Sequence, residues 1–161
     1  MVLLDTAGVA KRALMRVETR VVNPPVERLL RSRLHWLVSE RLLLLSYEGR
    51  VSGTRITTPV LYERDGDDVV VTTHREAVNW WKNFRGSYPA TLWLRGEPVE
   101  VTGAAVLNAS EIADWLAYLG ARSWLWRRLL GRFGVSARDS LDDLESTAEN
   151  VVVVRFRRVR Q

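Results

Sequence analysis

The chain has 161 residues, 47% of them hydrophobic, which is the size of one domain that can bury its own core. It has no cysteine and only two histidines, His35 and His74, so disulfide frameworks and thiolate chemistry are excluded and we expect no metal site. The net charge of +5 is due to arginine, because only Lys11 and Lys82 of the 24 basic residues are lysines. Guanidinium donors suit planar anions, so we expect a phosphorylated cofactor, an acidic membrane surface or a nucleic acid as partner.

Residues 1–22 form a basic, weakly amphipathic helical pattern, which we treat as a separate N-terminal segment. After the break at Asn23-Pro24-Pro25, leucines at helical spacing predict a second helix over residues 25–39. The second helix is expected to pack on the core, whereas the first could pack there or lie on an anionic membrane. No secretory pattern is evident and no apolar run approaches the roughly 20 residues of a membrane span, so we expect a cytoplasmic protein, with membrane association left open.

The rest of the chain, residues 23–161, predicts one cofactor-binding β domain. Alternating and β-branched runs predict strands at Leu42–Tyr47, Ile56–Glu63, Val69–Thr73, Ala90–Arg95, Pro98–Leu107 and Val151–Val159. Asp65-Gly66-Asp67 predicts a hairpin turn. The predicted fold is mainly β (α+β), a split antiparallel β-barrel of about six strands with flanking helices, because closing a small sheet hides its edges.

Helices are predicted before the last strand. Asn108 followed three residues later by Glu111 is a capping pattern and predicts a helix from that point. A shorter helix is predicted from Ser123 to Leu130, ending at Gly131. The acidic stretch Asp139–Glu149 is interpreted as a polar loop with solvated charges.

The segment from Tyr47 to Tyr62 is the first candidate binding element. Gly49 and Gly53 allow positive φ angles that would let several backbone N–H groups converge on one anion. Charge and hydroxyl donors are added by Arg50, Ser52, Thr54, Arg55, Thr57 and Thr58. The same residues also fit an ordinary β-hairpin turn in which the glycines only satisfy geometry.

A second candidate element follows a predicted strand, at Thr72-Thr73-His74-Arg75, and leads into Asn79–Gly86 with Trp80 and Trp81. If this turn lay beside the 50–59 turn, the two would form a cleft for a ring system with a phosphorylated tail. The alternative is that Trp80 and Phe84, four residues apart, are core anchors of a short helix. No catalytic triad can be assembled, which favours a reaction in which a cofactor supplies the chemistry.

An ordered series of motifs covers both elements: Gly49-Arg50-x-Ser52-Gly53, Thr57-Thr58-Pro59-Val60-x-Tyr62, Asp65-Gly66-Asp67, the Val69–Thr73 strand and Trp80-Trp81-x-Asn83-Phe84-Arg85. The series resembles the deazaflavin-dependent nitroreductase family, also described as quinone reductases that use reduced coenzyme F420, within the flavin-reductase-like split β-barrel superfamily. The likeness covers residues 23–107. It implies transfer of hydride from bound, reduced F420 to a quinone, nitro compound or activated alkene.

The resemblance also implies roles for particular positions. The anionic tail of the cofactor would contact Arg50, Ser52, Gly53, Thr54, Thr57, Thr58 and Pro59, with Arg55 as an additional cation. The deazaflavin ring would be bordered by Thr72, Thr73, His74 and Trp80. The acceptor pocket would be lined by Trp115, Tyr118, Trp124 and Trp126. No catalytic residue is assigned.

Two departures from the family pattern bear on the cofactor. Many members have a lysine where this chain has Val51, and most have a longer glycine-containing loop between Thr73 and Trp80. Flavin mononucleotide, or no cofactor, therefore stays open beside F420, as does a non-catalytic barrel that binds a flavin-like or lipid-like ligand. Nucleic acid is not an expected partner because the arginines do not form one stripe. Barrels of this kind can pair, so a homodimer also stays open.

Overall fold

The computed structural model describes residues 41–122, 124–131 and 140–159. The predicted helices over residues 1–22 and 25–39 lie outside the described residues. The described strands are β1 (Leu42–Glu48), β2 (Arg55–Leu61), β3 (Glu63–Asp65), β4 (Asp68–His74), β5 (Tyr88–Leu94), β6 (Glu97–Val106) and β7 (Val151–Arg158). The described helices are a 3-10 helix (Trp80–Phe84), α1 (Ala109–Arg122), α2 (Trp124–Leu130) and α3 (Leu141–Ala148).

The fold class expected from the sequence is confirmed. It is mainly β (α+β), of the split-barrel type, with seven strands where about six were predicted. The additional strand arises because the predicted run Ile56–Glu63 changes partner: β2 pairs with β1, whereas Glu63 pairs with Val70 of β4. Residues 55–61 therefore pair in β2, while Glu63 begins a separate strand.

The described chain forms two compact units. The first unit holds residues 41–62, 89–101 and 158–159, and the second holds 63–88 and 102–157. Strand order in the first unit is β2-β1-β5-β6, through the first half of β6. In the second unit the order is β6-β7-β4-β3, through the second half of β6.

The first unit is built on the antiparallel pair β1 and β2, which runs in register from Leu42↔Leu61 to Glu48↔Arg55. On its other side β1 pairs with β5, with Ser46 opposite Thr91. The three leucines at the centre of β1 are fully buried, although neighbours on a strand point to opposite faces. Such two-sided burial explains why the run Leu42–Leu45 shows no alternation.

The second unit joins strands β3, β4, β7 and the second half of β6 to helices. The β3–β4 hairpin closes at Asp65↔Asp68 with Gly66 at φ +59°, which confirms the predicted turn. Helix α1 begins as predicted, since the Oδ1 of Asn108 accepts from the N–H of Glu111 at 3.0 Å. The apolar face of α1 supplies the centre of the core, where Ile112, Leu116 and Leu119 are fully buried.

The prediction of a polar loop over Asp139–Glu149 is wrong, because residues 141–148 form helix α3. The Oγ of Ser140 accepts from the N–H of Asp143 and the carboxylate of Asp143 accepts from the N–H of Ser140, a reciprocal capping box. Leu144 and Ala148, four residues apart, are buried on one face. The density of acidic residues concealed this short apolar stripe.

Among the described residues, no helix has the length and apolarity that a bilayer crossing requires.

Candidate functional site

The predicted anion-binding turn connects β1 to β2 at residues 49–54. Gly53 adopts φ +62°, as expected, but Gly49 does not have a positive φ. Gly49 is instead a site of close approach, since a Cβ there would lie 2.5 Å from the Oγ of Ser52 and this side chain would have to move. Of the two glycines that the sequence suggested could be left-handed, only Gly53 is, and Gly49 makes a close contact instead.

Three backbone amides of this turn are used within the turn itself. The N–H of Gly49 donates to the carbonyl of Thr54 at 2.9 Å, and the N–H of Gly53 donates to the carbonyl of Gly49 at 2.8 Å. The N–H of Thr54 donates to the Oγ of Ser52 at 3.2 Å. These three amides are therefore not available to an outside anion, whereas the exposed side chain of Arg50 could contact one.

A polar network missed by the sequence analysis lies where β2 leaves the turn. The Nε of Arg55 donates to the Oγ of Ser46 at 3.1 Å, and the same oxygen shares a hydrogen bond of 3.0 Å with the Oγ1 of Thr57. Ser46 is only 2% exposed. It lies across from Thr91, whose hydroxyl donates to the Oε1 of Glu100 at 2.8 Å. Register, which a sequence does not reveal, places these hydroxyls in one row.

Strand alternation separates the predicted tail-binding residues of β2. Arg55, Thr57 and Pro59 share one face, and Thr58 lies on the other. Glu48 is the cross-strand partner of Arg55, and both are exposed. The structure thus brings Arg55 and Thr57 together around Ser46, while Thr58 lies on the other face of the strand. Glu48 is the acidic residue opposite Arg55.

The predicted ring-bordering residues of β4 also divide between two faces. Thr72 and His74 share a face, and the Oγ1 of Thr72 accepts from the indole N–H of Trp115 at 3.1 Å. Thr73 points to the opposite face and is 8% exposed. The hydroxyl of Thr72 therefore orients a helix side chain.

Trp80 is 8% exposed and opens the 3-10 helix. Its ring meets Phe84 edge to face at 5.9 Å, and Phe84 meets Phe156 in the same way at 5.2 Å. A Cβ on Gly103 would lie 2.6 Å from both phenylalanine rings, so the packing needs a glycine there. This arrangement is that of a core anchor, and contact between Trp80 and a deazaflavin ring stays a prediction.

The aromatic residues predicted to line an acceptor pocket lie in the second unit. The rings of Trp115 and Tyr118 are stacked with centroids 5.3 Å apart. The guanidinium of Arg155 covers Trp115 at 5.2 Å and its Nη1 contacts the Oδ2 of Asp65 at 2.6 Å. Asp68 also approaches that nitrogen, at 4.0 Å.

The other end of this stack is closed in a similar way. The guanidinium of Arg122 lies 5.7 Å from the ring of Tyr118 and donates to its hydroxyl at 2.6 Å. The Nε of Arg122 lies 3.9 Å from the Oε1 of Glu63, and the Oε2 of Glu63 accepts from the indole N–H of Trp126 at 2.7 Å. We call Arg155, Trp115, Tyr118 and Arg122 the arginine–aromatic stack.

Most of this aromatic surface is used for packing. Trp115 and Trp126 are 5% and 4% exposed, and both indole N–H groups have acceptors. Tyr118 is 41% exposed and Trp124 is 69% exposed. The spacing of Trp115, Tyr118 and Arg122 on one helix could have revealed the stack, but its partners on other elements could not be read from spacing.

Two further properties bear on chemistry. Burial raises the pKa of Tyr47 to about 12, which extends the pH range over which its hydroxyl stays neutral. In the part of the chain that is described, no cluster of three or more His, Asp or Glu side chains could hold a metal ion.

Comparison with known proteins found no matching protein-family profile and no matching curated protein. Among solved structures, the chain is similar to an F420 reductase at 14% identity and TM-score 0.40, covering 74% of this chain and 87% of that one. It is similar to general stress protein 26 from Bacillus anthracis strain Sterne at 15% identity and TM-score 0.41, covering 81% and 99%. The heme storage protein HutZ from Vibrio cholerae matches at 11% identity and TM-score 0.33, covering 87% and 92%. At these values the likeness transfers no activity to this chain.

Proposed function

We propose that this protein is an oxidoreductase that binds reduced coenzyme F420 and passes its hydride to a quinone, nitro compound or activated alkene. The observation that carries the proposal is the β1–β2 hairpin. Its turn holds the motif Gly49-Arg50-x-Ser52-Gly53, with Gly53 left-handed, and displays Arg50 and Arg55 as exposed cations. The motif series that resembles the deazaflavin-dependent family supplies the identity of the ligand.

The residues of the hairpin fit an anionic tail. Guanidinium groups bind phosphate and carboxylate through paired donors, and the bond from Arg55 to Ser46 uses one of five N–H donors. Because a neutral hydroxyl holds this guanidinium, its charge is preserved for a ligand. Glu48 opposes the fit, since its carboxylate lies across the strand pair from Arg55. We expect it to lower, but not abolish, affinity for an anion.

The cofactor, when bound, supplies the hydride, and the protein supplies position and polarity. In this scheme Arg50 and Arg55 hold the tail, while Ser46 and Thr57 keep Arg55 in place. Gly53 gives the turn the backbone conformation that carries Arg50 outward. No residue is assigned a proton-transfer role, and the acceptor pocket stays a prediction.

The test is a titration of the purified protein with F420, followed by cofactor fluorescence, with flavin mononucleotide as competitor. Arg50→Ala and Arg55→Ala should each weaken binding by about 1.5–3 kcal/mol, roughly 10- to 150-fold, the scale of a charge-assisted hydrogen bond. Arg64→Ala removes another exposed arginine and should leave affinity within about twofold if binding is local.

Each outcome decides something different. Selective F420 binding that falls in both hairpin variants supports the proposal, and turnover of a quinone or nitro acceptor by the reduced form completes it. Preference for flavin mononucleotide contradicts the cofactor assignment. Retention of F420 without turnover of any acceptor would establish a binding protein instead. Equal affinity in all three variants would refute the hairpin as the tail site.

A further inference from the structure

Five side chains of helix α2 are described, and they lie on two opposite sides of the helix. Trp126 and Leu130, four residues apart, are 4% and 0% exposed and belong to the core. Trp124 is 69% exposed, and Arg127 and Arg128, three and four residues further along, are also exposed. This spacing places the three side chains on one side of the helix. We call them the outer face of α2.

The two tryptophans of this helix have different roles. Trp126 is buried and its indole N–H has an acceptor in Glu63. Trp124 is mostly in water, although burial of a large ring is favourable. A single exposed aromatic residue is common on protein surfaces and would mean little by itself. Here it is accompanied on the same face by two cations, which a folding role does not require.

The outer face carries no negative charge. Residues 124–130 contain no Asp or Glu. Arg122, two residues before α2, is already held by Tyr118 and Glu63 in the arginine–aromatic stack and is not counted with this face. An indole ring beside guanidinium groups is the combination that partitions into the headgroup region of an anionic bilayer, where the ring meets the acyl boundary and the cations meet phosphate.

We propose that the outer face of α2 docks the protein reversibly on an anionic lipid surface. This role is independent of the proposed reaction and is argued from residues 124–128 alone. A nucleic acid is the weaker alternative, because Arg127 and Arg128 form a small patch and not an extended basic stripe. Two guanidinium groups beside one ring suit weak interfacial binding instead.

The first experiment measures flotation of the full chain with vesicles of phosphatidylcholine alone or mixed equally with phosphatidylglycerol. The double variant Arg127→Ser/Arg128→Ser should partition about thirtyfold more weakly onto the anionic vesicles, since each arginine near such a surface contributes about fivefold. The matched control, Arg64→Ser/Arg158→Ser, removes the same charge from two other exposed positions. It should lose less than about threefold, because screened charges away from the contact act weakly.

The second experiment asks whether Trp124 itself enters the bilayer. Anionic vesicles with brominated acyl chains should quench the tryptophan fluorescence of the unmodified protein, and Trp124→Phe should remove most of that quenching. Equal losses in both double variants would overturn the proposal, since general electrostatics or residues 1–22 would then explain binding. Absence of flotation, unchanged quenching in Trp124→Phe, or binding to an oligonucleotide but not to vesicles would overturn it too.

Discussion

The two compact units use arginine in different ways. In the second unit, Arg155 and Arg122 cap the two ends of the arginine–aromatic stack, and each meets a carboxylate, Asp65 or Glu63. In the first unit, Arg55 is held by the hydroxyl of Ser46. Arg155 and Arg122 are paired with carboxylates and hold structure, whereas Arg55 is positioned by a hydroxyl, and under our proposal its charge serves a ligand. A count of arginines in a sequence therefore says little about anion binding.

The stack of the second unit is anchored at both ends by a single short strand. Glu63 and Asp65 are two residues apart on β3, so their side chains share a face. One holds Arg122 and the other holds Arg155, while Trp115 and Tyr118 lie between the two guanidinium groups. Strand β3, only three residues long, thus ties α1 and β7 together within this unit.

The largest expected effect comes from removing the centre of the stack. Trp115→Ala should lower the free energy of unfolding by about 3–5 kcal/mol, because it leaves a cavity and removes the ring between Arg155 and Tyr118. Chemical denaturation monitored by circular dichroism measures the change. The matched control is Trp124→Ala, which removes an exposed tryptophan and should change stability by less than about 0.5 kcal/mol. A loss in Trp115→Ala as small as that in Trp124→Ala would mean that the stack does not stabilise the second unit.

The sequence could predict this region only in part. The i, i+3, i+4 pattern identified the helix that carries Trp115, and the Asp-Gly turn identified the β3–β4 hairpin. Their hydrophobic periodicity and turn chemistry are local properties. The contact between Arg155 and Trp115 depends on packing between a helix and a strand that are far apart in sequence, so nothing local records it. For the same reason the sequence gives no sign that Trp115 is 5% exposed and covered by Arg155, and its place in an acceptor pocket stays a prediction.

A buried tyrosine offers an alkaline test of the first unit. The folded-state pKa of Tyr47 is raised to about 12, above its ordinary value of 10.0, so its stabilising contribution is fully present below pH 10 and is lost as the pH rises toward 12. The loss is at most about 2.7 kcal/mol, at 1.36 kcal/mol for each pH unit. Denaturation curves at several alkaline pH values should show this decline in the unmodified protein and in Tyr118→Phe, but not in Tyr47→Phe. The same decline in Tyr47→Phe would assign it to another group.

The arginines themselves give a direct comparison of the two units. Arg155→Gln should cost about 1–2 kcal/mol of stability, because it breaks a partly buried, charge-assisted hydrogen bond to Asp65. Arg55→Gln should cost less than about 0.5 kcal/mol, since Arg55 is exposed, and should instead weaken F420 binding. Thermal unfolding and cofactor titration of both variants would separate the roles. If Arg55→Gln lost more stability than Arg155→Gln, the distinction between structural and ligand-directed arginines would be wrong.

The candidate site shows where sequence reasoning ends. The hairpin, Arg50 and the left-handed Gly53 follow from turn chemistry, which is local. Ser46 was missed because its role depends on register, which places it opposite Thr57. Thr57 and Thr58 are neighbours on β2, so strand alternation sends their side chains to opposite faces, and their shared role at the tail stays a prediction. Helix α3 was missed because three of its eight residues are acidic, a composition typical of a loop, and only Leu144 and Ala148 mark its buried face.

The smallest effect concerns the N-terminus of α3, where a carboxylate supports structure in the second unit. Hydrogen bonds from the side chain and backbone of Ser140 lower the pKa of Asp143 below its ordinary value of 3.8. A lowered pKa means that the contribution is present above the unfolded value and disappears as the pH falls through the folded one. Ser140→Ala should therefore destabilise the protein at neutral pH, by about 0.5–1 kcal/mol for an exposed cap, and by less in strong acid.

Thermal unfolding of Ser140→Ala from neutral pH down to about pH 3 measures this difference. Ser146→Ala, an exposed serine in the same helix, is the control and should show no such pH dependence. If the difference in thermal stability between Ser140→Ala and the unmodified protein were the same at every pH, the capping hydroxyl would act without the carboxylate of Asp143. If the two thermal stabilities became equal in acid, the carboxylate of Asp143 would be a group that stabilises the second unit. Glu48 differs from it, because it is exposed and lies opposite Arg55 in the first unit.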